Sequence, residues 1–135
     1  MLLNVEHIGV AVKDLAKAEE LYTRLFNKAP YKKEVVQSEL VSTSFFQINQ
    51  TKIELLEATE PDSAIARFIE KKGEGVHHIA YEVDDIVAEM ARLKNEGFSL
   101  LSENPRRGAD NKLVCFLHPK TTNGVLIELC QEIKE

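Results

Sequence analysis

The spacing of apolar residues near the start of the chain predicts a β-strand followed by a helix. Apolar and polar positions alternate over residues 4–12, with isoleucine and valine on one face and His7 among small residues on the other. Apolar residues then recur at the helical period over residues 15–27, and Asp14 precedes them as a typical N-cap. Pro30 prevents the helix from continuing. The apolar positions of this helix are Leu15, Ala18, Leu21, Tyr22, Leu25 and Phe26.

The pattern of apolar and polar residues along the rest of the chain predicts two βαβββ modules. Three strands follow the first helix, at residues 31–37, 40–48 and 51–57, and a polar connector with a short helix at 64–72 leads into the second half. The second half is predicted to contain a strand at 77–83, a helix at 86–96, a strand at 98–102, a loop at 103–111, and strands at 112–118 and 125–131.

Two short motifs occur once in each module. A strand that carries a histidine is repeated with several of its neighbouring residues in register, and this repeat pairs His7 with His78. The tripeptide Ile-Glu-Leu also occurs twice, at a slightly larger separation, and this repeat pairs Glu54 with Glu128. The chain therefore contains an internal repeat of about half its length, with a nitrogen donor and an oxygen donor in each copy.

The repeat predicts one α+β domain over residues 1–135, with modules at 1–58 and 74–135 joined by a linker and short helix at 59–73. Its eight strands are expected to form a curled half-barrel sheet with the helices outside and a cleft along the inner faces. Pseudo-twofold symmetry would bring the two histidines and the two glutamates together at the centre.

We therefore predict a metal site formed by His7, Glu54, His78 and Glu128. Singly, each histidine is more typical of a core or surface position, but a carboxylate flanked by isoleucine and leucine is costly to bury without a partner. Two imidazoles and two carboxylates suit a divalent ion such as Co, Zn, Ni, Mn or Fe, and an open cleft leaves room for water, as in catalytic sites. A second glutamate argues against the iron oxygenases that use one carboxylate.

Two other histidines are assigned different places. The alternation of side chains along a strand puts His77 on the face opposite His78, where it packs on the helix side. His118 precedes Pro119 at a strand end, and we expect it to stabilise the turn or to contact the cleft rim.

Composition narrows the class of partner. The formal net charge of −5 comes from scattered residues without a basic stripe, which argues against a nucleic-acid partner. No apolar run approaches the length of a membrane span, and the first residues lack the features of a secretion signal, so we expect a cytoplasmic protein without a membrane partner. Cys115 and Cys130 lie in apolar strands and are expected to be buried thiols in a reducing compartment.

The motifs resemble the vicinal oxygen chelate superfamily, which includes glyoxalase I and the bleomycin-resistance proteins. Within it, the chain is most similar to the methylmalonyl-CoA epimerases, and the similarity runs over essentially the whole sequence. The segments Gly-Val-His-His-Ile-Ala and Phe-Leu-His-Pro-Lys are the most discriminating. The stretches that carry the resemblance are residues 7–12, 52–57, 73–80, 116–120 and 124–129.

The resemblance implies a divalent metal, typically cobalt in vitro, and inversion at the carbon between the carboxylate and the thioester of a malonyl-type CoA ester. This chain differs from some epimerases that it resembles. Those epimerases have Gln in place of Glu54 and a separate glutamate base where this chain has Thr43. A threonine cannot act as a general base at neutral pH. We therefore hypothesise that Glu54 and Glu128 are the acid–base pair, as the resemblance to glyoxalase I suggests.

Four basic residues of the second half are candidates for contacts with coenzyme A. Lys120, Arg106, Arg107 and Lys112 lie on or next to loops and could contact phosphates, although solvated surface charges are the simpler interpretation. On resemblance alone we expect a homodimer. Glyoxalase I, acting on a glutathione hemithioacetal, and a binding protein without catalysis remain as alternatives; the full ligand set disfavours the latter.

Overall fold

The computed structural model describes residues 1–134, which form two compact units. One unit is His7–His77, and the other combines Met1–Glu6 with residues 78–134. The strands are β1 (Leu2–Ala11), β2 (Lys32–Val36), β3 (Val41–Ile48), β4 (Thr51–Ala58), β5 (Gly75–Val83), β6 (Arg106–Arg107), β7 (Lys112–Leu117) and β8 (Ile127–Glu132). The helices are α1 (Leu15–Phe26), α2 (Ala64–Lys72) and α3 (Ile86–Asn95).

In the unit His7–His77, β2, β3 and β4 pair antiparallel and β4 pairs parallel with β1. The apolar face of this sheet packs on α1, as the alternation in β1 predicts. The side chains in this contact are Val10, Val12, Phe46, Ile53 and Leu55 of the sheet and Leu15, Ala18, Tyr22 and Phe26 of the helix.

The limits of α1 are set by local side-chain and backbone contacts. The side chain of Asp14 accepts a hydrogen bond from the backbone N–H of Lys17 at 3.1 Å, which confirms the predicted N-cap. The helix ends at Asn27, which has a left-handed φ of 55°. Two of the apolar positions of this helix, Leu21 and Leu25, are exposed to solvent.

In the other unit, β5 pairs parallel with β8, while β7 pairs antiparallel with both β8 and β6. Helix α3 begins after Asp85, which accepts a hydrogen bond from the N–H of Ala88, and it packs on one face of these strands. The core on that face contains Val83, Ile86, Met90, Leu93, Cys115, Leu117 and Leu129. The first residues of β1 also belong to this unit, where Asn4 donates to Glu82 at 2.8 Å.

The predicted strand at residues 98–102 is wrong. Backbone hydrogen bonds join this segment to the end of β7, from Leu101 to Phe116 and from His118 to Ser99, but they do not extend into a ladder. Phe98 and Leu100 pack on the α3 core, whereas the side chain of Leu101 is exposed. The strand that pairs along β7 is instead Arg106–Arg107, inside the predicted loop. Within residues 1–134 the eight strands and three helices still follow the order of two βαβββ modules, which confirms the predicted fold class.

Candidate functional site

The unit His7–His77 contains one buried histidine–glutamate pair. Nε2 of His7 lies 3.3 Å from Oε1 of Glu54, and both side chains are almost completely buried. His7 is on β1 and Glu54 is on β4, so the pair joins the two parallel strands of this unit.

The other unit contains a matching pair. Nε2 of His78 lies 3.2 Å from Oε1 of Glu128, again with both side chains buried. His78 is on β5 and Glu128 is on β8, which are the parallel strands of this unit. Each module thus holds its predicted nitrogen and oxygen donors in direct contact.

The strand register explains why each glutamate can reach its histidine. Glu54 lies opposite Gly9 and Glu128 lies opposite Ala80, and in both modules this small residue follows the histidine by two positions. Cross-strand neighbours project from the same face, so a large side chain here would fill the space that the glutamate crosses. The His-Ile-Gly and His-Ile-Ala motifs therefore each supply a donor and the gap next to it.

A phenylalanine lies on the other side of each glutamate. Phe45 is opposite Glu54, and Phe116 is opposite Glu128. The two phenylalanines are as far apart in the sequence as the two histidines, so a comparison of the two halves could have found them. Sequence reasoning missed them because an aromatic residue in a strand is ordinary core composition.

The donor set and its spacing fit a metal ion. Two ligands that each lie about 2.0–2.2 Å from one ion are about 2.8–3.6 Å apart at tetrahedral or octahedral angles. The nitrogen–oxygen distances of 3.3 Å and 3.2 Å fall in this range. Burial also leaves each carboxylate short of water, and a bound cation would compensate its charge.

Two thiols lie in the same unit as Glu128. Burial, with a further contribution from the charge of Glu128, raises the pKa of the Cys115 thiol to about 11. The same two causes, in the same order, raise the pKa of Cys130, whose Sγ lies 3.6 Å from the carbonyl oxygen of Tyr81. Both cysteines are buried and free, as predicted, and both remain protonated at neutral pH.

The remaining sequence-predicted residues have structural contacts of their own. The hydroxyl of Thr43 donates to the backbone carbonyl of Glu34 at 3.2 Å. His77 packs edge-on against Phe68 of α2, with ring centroids 5.0 Å apart. Nδ1 of His118 accepts from the backbone N–H of Lys120 at 3.1 Å, which confirms its predicted role in the turn.

The four cations near the loops are not equivalent. Arg106, Arg107 and Lys120 are exposed, whereas Lys112 is buried at the start of β7 and is therefore not a solvated surface charge. The guanidinium of Arg106 lies over the ring of Phe116, 6.0 Å from its centroid.

The sequence model of the Glyoxalase/Bleomycin resistance protein/Dioxygenase superfamily matches residues 6–116. The chain belongs to this superfamily. The match contains both histidines and Glu54, and Glu128 lies beyond its end.

Two relatives in this superfamily are similar over nearly the whole chain. The chain is 41% identical to the ethylmalonyl-CoA/methylmalonyl-CoA epimerase of Cereibacter sphaeroides, with 97% of this chain and 99% of the relative covered. It is also 41% identical to the mitochondrial methylmalonyl-CoA epimerase of Homo sapiens, with 94% of this chain and 73% of the relative covered.

A solved structure of a methylmalonyl-CoA epimerase has nearly the same fold as this chain. It is a variant of the Streptomyces coelicolor methylmalonyl-CoA epimerase in complex with 2-nitronate-propionyl-CoA. Its identity with this chain is 35% and its TM-score is 0.96, with 99% of this chain and 100% of that chain covered.

Proposed function

We propose that this chain is a methylmalonyl-CoA epimerase that interconverts (R)- and (S)-methylmalonyl-CoA by removing and replacing the proton on C2. The observation that carries the proposal is the buried contact between a histidine and a glutamate in each unit, at 3.3 Å and 3.2 Å. The identity with named epimerases along nearly the full chain supports it.

His7, Glu54, His78 and Glu128 together would hold one divalent ion, with Co, Zn, Ni and Mn as candidates. When bound, such an ion stabilises the negative charge that develops on the thioester oxygen as the α-proton is lost. Cys115 and Cys130, which are both buried and free, are not part of the proposed donor set.

Inversion at C2 needs an acid–base group on each face of the planar intermediate. We assign these roles to Glu54 and Glu128: one carboxylate takes the proton, and the other returns a proton to the opposite face. Thr43 cannot replace either, because its hydroxyl already donates to a backbone carbonyl and is not basic.

The proposed chemistry is tested by Glu54→Gln and Glu128→Gln. An amide keeps an oxygen donor but cannot accept the proton, so each variant should retain the metal while epimerisation falls at least about 100-fold. Each variant should still exchange the C2 proton of one epimer, and the two variants should favour opposite epimers. Chiral analysis, deuterium exchange and elemental analysis measure these outcomes. Near-normal turnover in either variant would remove that glutamate from the proton transfer.

The substrate class is tested by a paired assay on the purified protein. Deuterium incorporation at C2 of methylmalonyl-CoA is followed beside lactoylglutathione formation from methylglyoxal and glutathione. We expect exchange without lactoylglutathione. The reverse result would identify a glyoxalase I, and a metal-free protein inactive in both assays would be a binding protein.

We further propose that the protein is a cytoplasmic homodimer that acts in propionate metabolism, and that Lys120 and Arg107 contact the phosphates of coenzyme A. The described residues include no helix long and apolar enough to cross a membrane. The dimer is tested by light scattering after size-exclusion chromatography, where a monomer mass would contradict it.

A further inference from the structure

Arg106 lies on the same sheet face as the His78–Glu128 pair. It pairs across strands with Val114, and Val114 and Phe116 project from the same face of β7 because they are two positions apart. Phe116 in turn lies opposite Glu128, and its ring meets the His78 ring edge-on at 5.9 Å between centroids. One aromatic ring therefore separates the guanidinium from the histidine.

The backbone near Arg106 is held tightly against β7. The N–H of Gly108 donates to the carbonyl of Lys112 at 2.9 Å, and a Cβ on Gly108 would lie 2.9 Å from both methyl groups of Val114. Only a residue without a side chain allows this approach. Arg106, two residues earlier, is thus fixed over Phe116 by the strand that carries it.

The chemistry of this arrangement suits a carboxylate. A guanidinium that lies over an aromatic ring presents the N–H groups of its planar fork at its edge, where they match the two oxygens of a carboxylate. Phosphates are also bound by arginine. In an acyl-CoA, however, the pantetheine arm separates the phosphates from the thioester, whereas the free carboxylate of a malonyl ester is attached to C2 itself.

We infer that Arg106 binds the free carboxylate of the substrate and so selects malonyl-type thioesters over neutral acyl-CoA esters. The inference rests on the proposed function, because it places C2 near Glu128. It separates Arg106 from Lys120 and Arg107, whose proposed contacts are with phosphate.

The test is the affinity of Arg106→Gln for two ligands that differ in one carboxylate. Isothermal titration calorimetry is carried out on the metal-containing protein with methylmalonyl-CoA and with propionyl-CoA. We expect the variant to bind methylmalonyl-CoA about 10- to 100-fold more weakly, as for the loss of a hydrogen-bonded charge pair, and to bind propionyl-CoA within about twofold of the wild type. Arg106→Lys keeps the charge but not the planar fork, so it should lose less affinity for methylmalonyl-CoA than Arg106→Gln does.

The matched control is Arg107→Gln on the same strand, whose side chain projects to the opposite face. It should show no preference between the two ligands, and a thermal melt of each variant checks folding. Equal weakening of both ligands by Arg106→Gln would indicate a phosphate contact and overturn the inference, as would no weakening of either. In both cases wild-type exchange at C2 would leave the proposed function intact. A wild-type protein without that exchange would instead refute the function itself.

Discussion

At the scale of single residues, Glu128 influences two buried cysteines as well as the histidine that it contacts. Burial raises the pKa of Cys115 to about 11, with a further contribution from the charge of Glu128, and the same two causes raise the pKa of Cys130. Since the thiolate is the reactive form, a raised pKa makes both thiols poor nucleophiles at neutral pH. The cysteines therefore behave as small apolar residues of the sheet.

We predict that the folded protein resists alkylation. At pH 7.5 iodoacetamide should modify Cys115 and Cys130 at least about 100-fold more slowly than in urea, because both burial and the low thiolate fraction oppose the reaction. Mass spectrometry of quenched samples measures the rate, and the urea-unfolded protein is the control. Rapid modification of either cysteine in the folded state would show that its environment is more open than the structure indicates.

The sequence predicted which residues are the donors of the site, but it did not predict which side chains lie next to them. Repetition in the sequence identified His7, His78, Glu54 and Glu128, since unrelated residues rarely recur at nearly equal separations. It did not predict that a phenylalanine lies opposite each glutamate, because that contact depends on strand register. The histidines and the glutamates repeat at different separations, so the loops of the two halves differ in length and one half does not give the register of the other.

At the scale of elements, the segment from Phe98 to Gly108 shows where pattern reasoning fails. Its apolar residues suggest a strand, but Phe98 and Leu100 pack on the α3 core without forming a ladder. Tertiary packing here overrides local propensity. The adjacent two-residue strand β6 is too short and too polar to be recognised. It forms because Gly108 allows close packing on Val114.

We predict that Gly108→Ala destabilises the protein by about 1–3 kcal/mol through overpacking against Val114. The backbone of Gly108 is extended, with φ of −121°, so the alanine causes no conformational strain of its own. Urea unfolding measures the free energy of the single variant, of Val114→Ala and of the double variant. The double variant should be more stable than the sum of the single effects predicts, because Val114→Ala removes the clashing methyl groups. Additive effects would contradict the proposed contact.

At the scale of the whole molecule, the sequence predicted two modules with one donor pair each, and the structure contains one such pair in each unit. The fold class was predictable because helix caps, strand alternation and the repeat all agree. We propose that both pairs hold a single divalent ion.

The stoichiometry of bound metal tests that claim most directly. Elemental analysis of the purified protein should give one divalent ion per chain. His7→Ala and His78→Ala should each lose nearly all of it, because each variant breaks the same coordination sphere. Two ions per chain, or half of the metal retained when one histidine is removed, would show that the pairs act separately and would contradict the account.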